Sequence, residues 1–164
     1  MPSLSRVVVL LFLLFGWGAS HGLAQASKPN LSGAWKLNGA KTRHPQWWHE
    51  IRDYTCVIDH SEPKITMTQI SQRGHATEHY VTDGEERLAL PPYEGDQLRA
   101  KAYWDGNTLV IEKHREWADH RDGVWTIRYE LSTDGKTLYV SEHFLKSSYS
   151  DKPFDVFRTF ERQR

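Results

Sequence analysis

The chain has 164 residues, 21 basic and 21 acidic, and so no formal net charge. With no basic field it is not built to hold nucleic acid or an anionic membrane surface. One cysteine, Cys56, excludes an internal disulfide, so a core rich in tryptophan, tyrosine and phenylalanine must supply the stability.

The first residues read as an export address. Arg6 and the amino terminus are followed by an unbroken apolar run, Val7 to Phe15, and Ala24-Gln25-Ala26 places small residues where a signal peptidase cuts. The run is too short for a membrane span, which needs ~20 residues. Cleavage after Ala26 is expected, with release into the periplasm or beyond. No cysteine lies near that site to carry a lipid anchor. Removing 26 residues from 164 leaves 138, residues 27–164, the size of one domain. The mature chain carries no membrane span and is expected to be a monomer.

Gly33-Ala34-Trp35 opens the first strand, 31–38. The next segment, 41–50, is the best short helical stretch, but Pro45 interrupts it. Strands follow at 51–61 and 64–71, parted by Pro63, and at 75–82 after Gly74. Asp83-Gly84 ends that strand, and Arg87 to Leu90 forms a short further one. Asp105-Gly106 turns 97–104 into 107–117, and Asp134-Gly135 turns 123–131 into 137–145. The last strand runs from Phe154 to Arg162. The alternation is clear on 123–131: Trp125, Ile127, Tyr129 and Leu131 fall on one face and Thr126, Arg128, Glu130 and Ser132 on the other. Nine or ten antiparallel strands laid flat expose two edges, and closing the sheet removes both. The expected fold is therefore all-β, a single antiparallel up-and-down barrel, with a two-sheet sandwich as the alternative. A barrel of this size can enclose a small ligand.

The early Gly33-Ala34-Trp35 on the first strand of a small exported barrel resembles the opening motif of the lipocalins and their calycin relatives. GAWKLN (33–38), WDGNTLVI (104–111) and DGKTL (134–138) resemble, more narrowly, small secreted bacterial barrels of lipocalin type, over most of residues 31–162. The resemblance implies a fold and no activity. It also implies that Trp35 plugs the closed end of the barrel, with Gly33 beside it. An arginine of the last strand then packs across the indole ring, Arg158 by first choice and Arg162 by second; the two share a strand face. An indole face attracts a guanidinium. Ordinary core packing of Trp35 and a bulge at Gly33 are the alternatives.

Catalytic and metal chemistry find little anchorage. The mature chain holds His44, His49, His60, His75, His79, His114, His120 and His143. Metal sites need several ligands converging on a point. His75 and His79 on a strand stand ~13 Å apart, too far to share an ion. Some barrels of this shape hold haem through a late histidine, and His143 is the only one after residue 120. It falls on the face opposite Leu138 and Val140, which points it outward. Ser147, Ser148 and Ser150 lack a nucleophile-elbow context, and Cys56 reads as a small buried hydrophobe. No catalytic residue, metal or cofactor is therefore assigned.

One pattern breaks the alternation of apolar and polar faces. The face of Leu109 and Ile111 continues into Lys113, Arg115 and Trp117, and that of Leu138 and Val140 continues into Glu142 and Phe144. A buried unpaired charge is costly. Either Glu142 pairs with Lys113 or Arg115, or these charges line a cavity mouth that orients an anionic head group, or a bulge flips the register. The loop 88–96 and the pair Trp47-Trp48 either cover the open end or pad the wall. The functional expectation is a binding protein for a small, mostly apolar or amphipathic ligand, held by Lys113, Arg115, Glu142, Trp117 and Tyr129. A haem- or metal-binding redox or enzymatic barrel, and an envelope interaction module with a filled lumen, are the alternatives.

Overall fold

A computed structural model describes residues 28–49, 53–90, 95–117 and 123–164. The expected signal segment lies outside these residues, as do Tyr93 and His120. The elements are β1 (Gly33–Leu37), a single 3-10 turn (Gly39–Lys41), β2 (Thr55–Ser61), β3 (Lys64–Ser71), β4 (Gly74–Val81), β5 (Glu86–Leu88), β6 (Gln97–Asp105), β7 (Thr108–Glu116), β8 (Gly123–Leu131), β9 (Thr137–Lys146) and β10 (Phe154–Arg162). The segment 41–50, which Pro45 interrupts, forms no helix over its described residues: the 3-10 turn ends at Lys41, and Pro45 and the two tryptophans lie in irregular chain.

The ten strands form one antiparallel sheet in the order β4-β3-β2-β1-β10-β9-β8-β7-β6-β5. Every neighbour is a sequence neighbour except β1 and β10, which pair through Trp35 opposite Arg162 and Leu37 opposite Phe160. That pairing joins the two ends of the chain and bends the sheet into an up-and-down barrel. The strand-to-strand turns work because the glycine of Asp105-Gly106 takes φ +60°, which side-chain-bearing residues rarely adopt. One face of each strand points inward, and Trp35, Ile65, Met67, Leu109, Ile111 and Leu138 among these residues are almost wholly buried.

The barrel is not laced all the way round. β4 and β5 share no strand ladder. Across this seam His79 N–H donates to Ala89 C=O at 3.2 Å, and in the turn between the two strands Gly84 N–H donates to Ala102 C=O at 2.9 Å. Glu62, in the β2–β3 turn, braces the seam at the closed end. Its carboxylate accepts from Trp104 Nε1 of β6 at 2.6 Å, from Thr82 Oγ1 just after β4 at 2.7 Å, and bonds His60 Nε2 at 2.8 Å. Burial alone would raise the Glu62 carboxyl, but these hydrogen bonds outweigh it and hold it below the ordinary range.

The closed end answers why the largest side chain sits beside the smallest. Trp35 is fully buried, and its indole N–H donates to Leu31 C=O at 2.9 Å. The guanidinium over its ring, 4.3 Å from the centroid, belongs to Arg162. The first choice, Arg158, is corrected: it lies on the same face but two pleat repeats further into the lumen, opposite Val140, because the β1–β10 register sets Trp35 against Arg162. Arg162 also donates to Ser32 C=O at 2.6 Å and to Gly135 C=O at 2.8 Å, which ties the incoming chain and the β8–β9 turn to the plug. A Cβ on Gly33 would stand 2.8 Å from the Arg162 guanidinium, and its φ of +139° suits glycine alone. Gly33→Ala is expected to cost about 1–3 kcal/mol, read as a lowered urea midpoint at unchanged slope. A wild-type midpoint in this variant would show that Gly33 is not reserved for the arginine.

Candidate functional site in the barrel lumen

Beyond the apolar floor the lumen opens into a cavity of about 250 Å³. β2 supplies Cys56, preceded by Tyr54; β8 supplies Trp125, Ile127 and Tyr129; β9 supplies Leu138, Val140, Glu142 and Phe144; β10 supplies Arg158 and Phe160. Gln69, Glu78, Leu98, Lys113 and Arg115 complete the wall. Four of the five residues expected to hold a ligand, Lys113, Arg115, Glu142 and Tyr129, thus meet around one space. The fifth, Trp117, is not among the lining residues; it stacks on Arg115, whose guanidinium carbon lies 4.9 Å from its ring centroid.

The interior charges are real and the register does not flip. Lys113, Arg115 and Glu142 keep the parity of Ile111 and Val140, and the one irregularity, between Val124 and Trp125, lies nearer the mouth. Each charge is met by a partner the sequence reading did not name. Lys113 Nζ bonds Glu78 Oε2 at 2.9 Å, with their side chains only 3% and 9% exposed. Tyr80 Oη donates to the same oxygen at 2.5 Å and Gln69 Nε2 at 3.3 Å. The ammonium also faces the rings of Tyr80 and Trp125, 5.5 and 5.8 Å from their centroids. Arg115 grips Asp96 with two parallel bonds, Nε to Oδ1 at 2.9 Å and Nη2 to Oδ2. Arg158 pairs with Glu142. The expected pairing of Glu142 with Lys113 or Arg115 is thus replaced by three separate ion pairs.

Burial by itself would raise the Glu78 carboxyl, yet Lys113 and the Tyr80 hydrogen bond more than offset it, so Glu78 titrates below the ordinary carboxylate value. The Asp96 carboxyl is lowered chiefly by its bonds to Arg115. Burial pushes the Cys56 thiol up to about 12 and the Tyr54 and Tyr129 phenols well above their usual range, so these groups stay protonated.

Aromatic side chains gather at the mouth. Trp48 packs on Phe144 and Phe154 with centroids 5.4 Å away in each case, and on Tyr149 at 5.5 Å, while Phe144 and Phe154 stack at 4.6 Å. Trp48 therefore covers the open end, while Trp47 is about half exposed beside it. The Trp48 indole N–H is buried without an acceptor among the described residues. His143 stands on the outer face of β9, bonded to Asp155 at 2.8 Å. Among the described residues no group of three or more histidine, cysteine, aspartate or glutamate side chains converges as a metal site would require.

These features define a calycin-type β-barrel with a lined, partly polar lumen. No family model and no curated protein matches the chain. Solved structures do: apo lipid binding protein 8 of Caenorhabditis elegans is similar at a TM-score of 0.56 and 12% identity, over 81% of this chain and 95% of that one. At that identity the likeness is one of fold.

Two outcomes are expected of the Glu78–Lys113 pair. Lys113→Met leaves a carboxylate stranded in the wall and should cost about 3–5 kcal/mol in urea unfolding, most of it regained in the double variant Lys113→Met/Glu78→Leu. Because the folded Glu78 is lowered from 4.5, its contribution is fully present above pH 4.5 and is lost as the pH falls through its folded value. Glu78→Gln should accordingly flatten the dependence of stability on pH in acid, as measured by urea unfolding at a series of pH values.

Proposed function

We propose that the protein is an exported carrier or sensor that binds one small, mostly apolar molecule in the lumen of its barrel. The observation that carries the reading is the cavity itself. It is larger than the ~150 Å³ apolar cavity that accepts a benzene molecule in an engineered protein, and its wall is divided between apolar side chains such as Ile127, Leu138, Val140 and Phe160 and the charged and polar groups around Lys113, Arg115 and Glu142. Concave pockets that join apolar wall to convergent polar groups are where small ligands bind. The neighbour of similar fold is described as a lipid binding protein, which agrees with an apolar ligand. Lys113, Arg115, Glu142 and Tyr129 orient the polar end of the ligand, and Trp117 holds Arg115 from behind.

A neutral dye such as Nile red should bind saturably with a rise in fluorescence. Val140→Phe, which fills the lumen from β9, should weaken that binding by about tenfold or more while leaving the unfolding transition cooperative. Dye binding that is equal in the two proteins would place the dye outside the barrel and remove the support for this reading.

Export follows from the apolar run and the small residues ending at Ala26. Intact-mass measurement of protein recovered from the periplasm or medium of a bacterial host should give a chain beginning at Ser27. Retention of the full-length chain in the cytosol would refute export.

A further inference from the structure

Among the described residues each cation lining the lumen is paired with a carboxylate, two of these carboxylates in the lining and the third, Asp96, beside it. Lys113, Arg115 and Arg158 face Glu78, Asp96 and Glu142, one against one. The remaining titratable groups of the wall, Cys56, Tyr54 and Tyr129, are held protonated by burial. An entering anion thus meets no surplus positive charge. To reach a guanidinium it must share it with a carboxylate already in place, and away from bulk water two carboxylates contesting one cation are unfavourable. An uncharged donor such as a hydroxyl or primary amide meets no such conflict. It can donate to the carboxylate oxygens and accept from the phenols without disturbing any ion pair.

Size narrows the class further. An apolar cavity of ~150 Å³ holds benzene, with six non-hydrogen atoms. Scaled by volume, about 250 Å³ holds a ligand of about ten.

We infer that the lumen selects an uncharged amphiphile of medium chain length, with a hydroxyl or amide head, over the corresponding carboxylate. The inference rests on the lumen being the ligand site.

The test is isothermal titration of the mature protein with decanol and with decanoate at about pH 7.5, where the acid is ionised. Decanol should bind at one equivalent, and decanoate about tenfold or more weakly. Glu142→Gln, which removes the negative partner facing Arg158, should narrow the preference for decanol over decanoate by about tenfold. Asp96→Asn, nearer the surface and easily accommodated, should do the same through Arg115. Decanoate binding as tightly as decanol in the wild type overturns the inference and leaves the lumen as the ligand site. So does a failure of both variants to narrow the preference for decanol while they still bind Nile red. If decanol, decanoate and Nile red all fail to bind, the ligand reading falls with it.

Discussion

The fold depends on a guanidinium laid on an indole. Arg162 ends the last strand, Trp35 lies on the first, and their contact locks the β1–β10 pairing in the middle of the sheet. The same arginine holds the backbone at Ser32 and at Gly135, so one side chain gathers the chain entry, the exit and the β8–β9 turn. Gly33 is the empty place that lets it approach. A cation–aromatic contact of this kind is modest when exposed and stronger when water is excluded. Here the ring is fully buried, and the arginine's hydrogen bonds to main-chain oxygens satisfy the charge that burial would otherwise strand.

Once the register is set at that end, the alternation of side chains decides what stands indoors along every strand. Apolar residues fill the floor, and further along the same faces β4, β7, β9 and β10 deliver Glu78, Lys113, Arg115, Glu142 and Arg158 to the interior. The barrel tolerates them because each cation has a carboxylate within reach, 35 residues away for Lys113 and on or beside a neighbouring strand for Arg115 and Arg158. Such pairs give little net stability compared with well-packed apolar residues, and losing one member is costly. They are better understood as fixing the polarity of the lumen than as holding the wall together.

Local chemistry decides where the strands lie. Strand positions followed from period-two alternation and from the Asp-Gly turns, and the tenth strand from the short run before Leu90. Parity allowed Lys113, Arg115 and Glu142 an inward position and left a flip of the register as the alternative; the unshifted pairing of β7 decides between them. What local pattern does not hold is the match between strands. Arg158 and Arg162 share a face four residues apart, and only the β1–β10 register decides which meets Trp35. Glu78 and Lys113 lie 35 residues apart, and no short-range rule links them. A signal was present even so: Glu78 has the parity of Tyr80, so a carboxylate was destined for the interior and required a partner there. Trp48 was legible as an aromatic beside a proline-broken turn, but its place over the mouth follows from Phe144 and Phe154 of two later strands.

The unlaced junction between β4 and β5 gives the wall an uneven resistance to deformation. Elsewhere, parting two strands breaks a full ladder of main-chain bonds; here the cross-strand bond is the one from His79 to Ala89, with Glu62 bracing the closed end. Spontaneous openings concentrate where fewest bonds are lost. Strand separation therefore costs least along this line, and the wall has there, like a sleeve with one open cuff, its weakest join.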